Sequence, residues 1–343
     1  ELKHPLIIVF DGDYLFEPVT GQVDFQTYFD DMPGSIIVGV VQGSERYYDG
    51  YCDEVTGLPK ESGLRFHDFV ADELIPYLDD KYNTSKFRVA VGHDLMGNFI
   101  NSYLFKEDPL FQAYVCISPD LSGTVKDYLG KRLEFFKDDI FYYMATSDKD
   151  LPGIRDAVLD ANTQITEVKN QYLTYYFDDF KNDTHYTLVT SAISKSFDKI
   201  FELYKPLREK ELEEKVLTYE GTLDKYLVDR YDRIEKLFGI KKQITEEEIE
   251  KAYIKHIGKD GLDYLDRREK FILPSIFLGI TLLVHSFNVS LWISVLIPVL
   301  VVSNSKYSKS FDKDKRYQDY LKKKEKVEKL FPDLVIKLES LDI

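Results

Sequence analysis

Residues 92–97, Gly-His-Asp-Leu-Met-Gly, follow the apolar run 87–91 and have the pattern of a sharp strand-to-helix turn that exposes one attacking side chain. Such a turn needs small neighbours because its strained backbone leaves little room for Cβ atoms. Gly92 and Gly97 supply them. The exposed position is Asp94, so the side chain at the tip of the turn is a carboxylate and not a hydroxyl.

Acyl-transfer chemistry at such a turn also needs an acid and then a histidine later in the chain. His185 is the only histidine between Asp94 and the charged region that begins at residue 205, and it follows the last predicted strand. It is therefore the candidate base. The acid should follow the preceding strand, where Asp150 is the first choice and Asp148 the second.

Two backbone N–H groups would have to hold the negative charge of a tetrahedral intermediate. One is predicted from Leu95, the residue after the tip of the turn. The other is predicted from the loop formed by Gly12, Asp13 and Tyr14 after the first predicted strand, where the glycine lets the backbone approach a substrate closely. Ser118 is not a replacement nucleophile, because it follows a different strand.

Short apolar runs alternate with amphipathic stretches in residues 1–204, which predicts βαβ units around a mostly parallel sheet. Strands are expected at 6–10, 35–41, 87–91, 114–117, 140–144 and 171–177. Helical spacing is found at 66–78, 99–104 and 192–204. The candidate site residues follow the strands, so they are expected at the carboxyl edge of the sheet.

Short motifs in residues 1–204 carry a resemblance to an esterase family of α/β-hydrolases that includes esterase D and the enterochelin esterases. The motifs are 9–16, Phe66 and Phe69 with 73–76 and Tyr82, 91–93, Phe111 with 113–114 and 117–119, and 184–186. The resemblance implies an α/β-hydrolase fold with the nucleophile at position 94, the base at His185, the acid at Asp150 and the oxyanion loop at 12–14. The family has Ser at 94 and Gly at 96, where this chain has Asp and Met. The opening strands of the family are expected to be missing from the domain.

The carboxylate of Asp94 has no proton to give and is expected to pair with a protonated His185, which would abolish serine chemistry. The first hypothesis is therefore a catalytically degenerate domain that acts as a binding or scaffold module. The second is an active hydrolase in which Asp94 attacks an ester, epoxide or alkyl halide with His185 and Asp150. It draws on a likeness to epoxide hydrolases and haloalkane dehalogenases that is limited to residues 92–94. The third is a conventional esterase that uses another serine or has had its serine engineered away.

The chain has 343 residues, 44% of them hydrophobic, and a formal net charge of -15. This composition predicts a packed core and argues against nucleic acid as a partner, because a phosphate-binding face needs clustered Lys and Arg. Cys52 and Cys116 form neither a disulfide framework nor a metal-binding spacing. No metal or cofactor is predicted, and reduced thiols favour a cytoplasmic domain.

Residues 205–270 are rich in charged helix formers and are predicted to be a helical linker. One helix is expected over 223–238, ending at Gly239. A second is expected to open with a capping box, in which Thr245 is the N-cap and Glu248 lies three residues later.

Residues 271–303 contain no Asp, Glu, Lys or Arg and are predicted to enter a membrane. Basic residues on both sides favour a helical hairpin with both flanks cytoplasmic over a single span. Residues 304–343 are predicted to be a basic juxtamembrane helical tail. The domain is therefore expected to be membrane-anchored, with membrane lipid as a partner and a protein or a second copy contacting the hairpin.

Overall fold

The computed structural model describes residues 2–208, 211, 214–215, 219, 223–245 and 248. The chain divides into two compact units, 1–206 with 232–242 and 207–231 with 243–343. The predicted hairpin at 271–303 and the tail at 304–343 lie outside the described residues. Among the residues that are described, no helix has the length and apolar character needed to cross a bilayer.

Within the described part of the first unit, six parallel strands form one sheet in the order β2-β1-β3-β4-β5-β6. The strands are β1 (His4–Val9), β2 (Ile36–Gly39), β3 (Thr84–His93), β4 (Ala113–Ile117), β5 (Ile140–Lys149) and β6 (Leu173–Thr184). Each corresponds to one predicted strand. Strands β1 and β4 are almost wholly buried, because a parallel sheet is covered on both faces, and this is why they read as continuous apolar runs.

Helices connect successive strands, as an α/β fold requires, and two more helices of the described part follow the last strand. They are α1 (Gly12–Tyr28), α2 (Arg46–Asp49), α3 (Ser62–Asp68), α4 (Ile75–Lys81), α5 (Leu95–Phe99), α6 (Gly123–Glu134), α7 (Pro152–Thr166), α8 (Leu188–Ile200) and α9 (Leu223–Phe238). A π-helical turn, Phe69–Leu74, joins α3 to α4, and a 3-10 turn, Ile100–Phe105, continues α5. The predicted helices at 66–78, 99–104 and 192–204 are confirmed as α3–α4, α5 with its continuation, and α8.

The predicted loop at residues 12–14 is instead the first turn of α1, so that part of the prediction is wrong. The chain turns at Asp11, which has a left-handed backbone with φ 60° and ψ 39°. Leu15, Val19 and Val23 then lie four residues apart and are buried, so one face of the helix packs on the protein interior from its beginning.

The ring of Phe10 lies at the centre of an aromatic cluster directly beneath the site. It contacts four rings with centroid distances between 6.1 and 6.4 Å, those of Phe66, Phe99, Tyr103 and Phe111. Burial of each such ring contributes roughly 1.5–3 kcal/mol. Because Phe10 directly precedes Asp11, this packing fixes the turn that carries one of the site carboxylates.

Two predictions beyond residue 204 are confirmed. Helix α9 ends before Gly239, whose φ of +69° is favourable only for a residue without a side chain. In the second unit, the Thr245 hydroxyl accepts the Glu248 N–H at 3.2 Å and the Glu248 carboxylate accepts the Thr245 N–H at 3.1 Å. This reciprocal pair is the predicted capping box. The same carboxylate also accepts the Leu207 N–H at 2.9 Å.

Candidate active site

The strand-to-helix turn lies at the carboxyl end of β3, with Asp94 alone between β3 and α5. Its φ of 54° and ψ of -119° are strained for a residue with a side chain, at a cost of about 1–3 kcal/mol. A Cβ at Gly92 would lie 2.5 Å from the Met96 carbonyl oxygen, and one at Gly97 would lie 3.1 Å from Pro119. The turn therefore needs both glycines, whereas the buried Met96 side chain is accommodated.

The predicted base and acid meet next to this turn. His185 Nδ1 lies 2.7 Å from Asp150 Oδ1. Asp150 also accepts hydrogen bonds from Ser118 Oγ at 2.6 Å, Thr146 Oγ1 at 2.7 Å and the Leu151 N–H at 2.8 Å. Burial alone would raise the pKa of Asp150, but these hydrogen bonds lower it to about 2. The carboxylate is thus ionised and holds the imidazole in a fixed orientation.

The alternative acid has a different environment. Asp148 is exposed, and its carboxylate accepts the Asn182 N–H at 2.8 Å. Of the two predicted acids, the structure therefore places Asp150 beside His185, while Asp148 lies near the end of β5.

The other nitrogen of the imidazole faces the tip of the turn. His185 Nε2 lies 3.8 Å from Asp94 Oδ1, which is within ion-pair distance but too long for a hydrogen bond. His185 is buried, while the Asp94 side chain is 25% exposed. The carboxylate, the imidazole and the acid are thus brought together in the predicted order, with solvent access at the carboxylate.

A guanidinium that the sequence reasoning missed completes the site. Arg46, the first residue of α2, donates from Nη1 and Nη2 to Asp94 Oδ2 at 3.3 and 3.4 Å. Its Nη2 also donates to the His93 carbonyl oxygen at 3.2 Å, and its Nε is ion-paired with Asp11. No sequence motif marks Arg46. It lies in the segment after β2, and because β2 and β3 are parallel, this segment begins at the same edge of the sheet as the turn after β3.

Asp11 is a buried carboxylate that faces this guanidinium. Burial raises its pKa, while the ion pair and hydrogen bonds with Arg46 act in the opposite direction. Its backbone N–H donates to the Gln42 side chain at 3.2 Å. The left-handed turn at Asp11 therefore starts α1 and also places a negative charge next to the guanidinium of Arg46.

The predicted oxyanion donors of the 12–14 segment have acceptors within the chain. The Gly12 N–H donates to the Val40 carbonyl oxygen at 2.8 Å, and the Tyr14 N–H donates to the Asp11 carbonyl oxygen at 3.1 Å. The first bond joins α1 to the segment after β2 and the second belongs to the first turn of α1, so the prediction that these two groups hold an oxyanion does not match the geometry. Leu95, the other predicted donor, begins α5 directly after the tip.

The Asp13 side chain supports the segment that follows β2. Its carboxylate accepts the backbone N–H of Gln42 at 2.8 Å and that of Gly43 at 3.2 Å. These bonds lower its pKa. Asp13 therefore anchors the segment that leads into α2 and positions Arg46.

His93 and Tyr14 form a second support for the imidazole of His185. The Tyr14 hydroxyl lies 3.0 Å from His93 Nδ1, and His93 Nε2 lies 3.1 Å from the His185 carbonyl oxygen. Since a carbonyl can only accept, Nε2 carries the proton and Nδ1 accepts from the tyrosine. Burial and the nearby His185 lower the pKa of His93 to about 4. A neutral His93 therefore holds the backbone of His185 in place.

Metal binding has no evident location in this part of the chain. Among the described residues, no group of three or more His, Cys, Asp or Glu side chains is arranged to hold a metal ion.

The chain resembles one protein family and several solved structures. Residues 1–124 match the family described as "Putative esterase". No curated protein matches the chain. The fold of this esterase-like chain is similar to that of an uncharacterised protein from Capnocytophaga ochracea, with 26% identity and a TM-score of 0.69, over 79% of this chain and 76% of that one.

Two further solved structures share the fold. An IroE-like serine hydrolase from Shewanella oneidensis has 20% identity and a TM-score of 0.55, over 76% of this chain and 86% of that one. The BES protein from Bacillus cereus has 24% identity and a TM-score of 0.51, over 58% and 83%. Together with the parallel sheet and its flanking helices, these similarities fit an α/β-hydrolase fold.

Proposed function

We propose that this esterase-like domain has lost serine-type ester hydrolysis and acts as a binding module. The observation that carries the proposal is the position of the Asp94 carboxylate, between the guanidinium of Arg46 and the imidazole of His185. A serine esterase needs a hydroxyl proton that the histidine can remove. Asp94 has none, and its negative charge pairs with the groups that would otherwise act on a substrate.

Ester hydrolysis also needs N–H groups that hold the oxyanion, and two of the predicted groups do not meet this requirement. The N–H groups of Gly12 and Tyr14 are donated to backbone carbonyls and do not face a substrate. Loss of one oxyanion donor typically slows acyl transfer by about 10²–10³-fold. The engagement of Gly12 and Tyr14 adds to the missing hydroxyl at position 94 as support for a role other than serine-type ester hydrolysis.

Turnover of an activated ester by the full-length chain tests this proposal. We expect the wild type to hydrolyse p-nitrophenyl acetate no faster than the His185→Ala variant. The Asp94→Ser variant restores the hydroxyl next to the intact His185–Asp150 pair and is expected to gain slow turnover that a further His185→Ala change removes. Wild-type turnover that disappears in Asp94→Asn would contradict the loss of catalysis.

A second candidate function is hydrolysis with Asp94 as the nucleophile. The observation that favours it is that the two carboxylate oxygens of Asp94 face different groups. Oδ2 faces Arg46, while Oδ1 faces His185 Nε2. In this reaction Oδ1 attacks a saturated carbon and displaces a halide or opens an epoxide, which leaves an ester on Asp94. A water that loses its proton to His185 then attacks the carboxyl carbon, and the ester releases an alcohol.

Isotope labelling separates the two candidates. During turnover in heavy-oxygen water, the second reaction leaves label in the carboxylate of the peptide that contains Asp94. We expect no label with activated esters, epoxides or alkyl halides if the domain only binds. Label that requires His185 would establish the second candidate.

We also propose that residues 271–303 anchor the domain to a membrane, with the domain on the cytoplasmic side. The support is the sequence of this segment, which has 33 residues without Asp, Glu, Lys or Arg between basic flanks. The full chain should float with liposomes after a carbonate wash, whereas a chain that ends at residue 270 should not. Equal flotation of the two proteins would contradict the anchor.

A further inference from the structure

Arg46 lies between two carboxylates that differ in burial. The Asp11 side chain is fully buried, that of Arg46 is 18% exposed, and that of Asp94 is 25% exposed. Asp11 engages Nε and Nη2 of the guanidinium, while Asp94 engages Nη1 and Nη2. One edge of the guanidinium is therefore held in the interior, and the other faces the solvent-accessible part of the site.

The contact with Asp94 is the looser of the two. Charge-assisted hydrogen bonds between nitrogen and oxygen usually measure about 2.7–2.9 Å, whereas Asp94 Oδ2 lies 3.3 and 3.4 Å from the two nitrogens of Arg46. Separating Arg46 from Asp11 would leave a buried charge unpaired, which typically costs about 3–5 kcal/mol. The guanidinium is thus fixed in place by Asp11, and only its partner on the open side can be exchanged.

A fixed guanidinium with an open edge is suited to a carboxylate, because its planar donors match the two oxygens of that group. Two exposed aromatic rings lie near the site, one beside the guanidinium of Arg46 and one beside the imidazole of His185. The Tyr47 ring, 75% exposed, lies 5.9 Å from the guanidinium, and the Tyr186 ring, 74% exposed, lies 5.0 Å from the imidazole of His185. These rings offer apolar surface to the rest of a ligand.

We infer that Arg46 is the recognition site for the carboxylate group of a small-molecule ligand, and that Asp94 is the built-in carboxylate that occupies it in the free protein. The inference rests on the proposed binding role and names the ligand class. On binding, the carboxylate of the ligand replaces that of Asp94 on Nη1 and Nη2 of Arg46. Asp94 then keeps His185 as its neighbour.

The probe for this site is acetate, and the full-length chain with Asp94→Gly is the variant that exposes it. Glycine accepts the φ of 54° at this position without strain and removes the internal competitor. We expect acetate to bind this variant at least about tenfold more tightly than it binds the wild type, a difference of about 1.4 kcal/mol. Chloride at equal ionic strength serves as the control for non-specific anion effects.

Two double variants show whether Arg46 holds the acetate. Asp94→Gly with Arg46→Lys keeps a charge for Asp11 but removes the planar donors, and should lose at least about tenfold in affinity. Asp94→Gly with Arg65→Gln removes an exposed positive charge from neighbouring α3 and should bind acetate as Asp94→Gly does. Equal affinity in the lysine and glutamine double variants, or no binding by Asp94→Gly, would overturn the inference.

A spectroscopic measurement on Asp94→Gly adds a readout that does not rely on comparing affinities between variants. With 15N-labelled arginine, acetate should shift the Nε–H signal of one arginine. That signal must be the one that Arg46→Lys removes, and a shift of any other arginine refutes the assignment. Ester turnover by the wild type would contradict the proposed loss of catalysis and leave this result unaffected.

Discussion

The buried imidazole of His93 should make the stability of the domain depend on pH in a defined range. Burial and the neighbouring His185 lower its pKa from 6.5 to about 4. Above pH 6.5 the imidazole is neutral in both the folded and the unfolded chain. Between pH 6.5 and 4 only the unfolded chain takes up the proton, so the free energy of unfolding falls as the pH falls.

The size of this effect follows from the shift in pKa. Each unit of difference between the folded and unfolded values corresponds to about 1.36 kcal/mol, so the wild type should lose about 3 kcal/mol between pH 6.5 and 4 through His93. His93→Gln keeps an N–H donor for the His185 carbonyl but has no titrating group. Between pH 6.5 and 4, its free energy of unfolding should therefore fall by about 3 kcal/mol less than that of the wild type.

Urea unfolding between about pH 7 and pH 4 measures the difference, read by pulsed hydrogen exchange and mass spectrometry of peptides from β3 and β4. Tyr14→Phe is the matched control, because it removes the hydrogen bond to His93 Nδ1 and leaves the imidazole buried. This variant should lose about 1 kcal/mol at neutral pH, and because its imidazole stays buried, its free energy of unfolding should still fall more steeply between pH 6.5 and 4 than that of His93→Gln. Parallel pH profiles for the wild type and His93→Gln would refute the reasoning.

Three further predictions concern stability and use the same unfolding measurement. Asp150→Asn removes a carboxylate whose pKa is lowered to about 2, so it should cost about 2 kcal/mol at neutral pH and reduce the wild-type loss of stability between pH 3.8 and 2 by that amount. Arg46→Met leaves Asp11 buried without its partner and should cost about 3–5 kcal/mol. An exposed ion pair typically contributes at most about 1 kcal/mol, so a smaller loss than this would contradict the structural role of Arg46. Gly63→Ala places a Cβ 2.0 Å from a backbone carbonyl oxygen and should destabilise by about 3 kcal/mol. Gly21→Ala, in open space within α1, should instead stabilise by about 0.5–1 kcal/mol, and the same sign for both alanines would count against this account.

The strands and the turn at Asp94 could be predicted because each depends on local sequence. A fully buried parallel strand such as β4 must be apolar at every position, and the turn must have glycine where a Cβ would meet its own backbone. The positions of His185 and Asp150 followed from chain order, because the carboxyl ends of neighbouring parallel strands share one edge. Their roles in a reaction remain predictions.

The start of α1 could not be recognised from periodicity. Gly12, Pro18 and Gly21 all lie inside this helix and are poor helix formers, so the segment reads as a loop. Its helical state is set by the burial of one face and by the turn at Asp11. The error had a direct consequence for the site, because the N–H of Tyr14 that was assigned to an oxyanion donates within the first turn of α1.

Arg46 could not be predicted because it lies far from the turn in the sequence. The turn alone therefore does not determine the chemistry of the site. The backbone at position 94 is fixed by glycines and strand geometry that are indifferent to the side chain at the tip. Whether that side chain can react depends on its neighbours, and the decisive one comes from a segment 48 residues earlier in the chain. A serine at position 94 would leave Nη1 of Arg46 facing a neutral hydroxyl, whereas aspartate supplies the charge that the guanidinium lacks on its open side. The pairing of Arg46 with Asp94 therefore depends on the residues that surround the turn and could not be read from the turn itself.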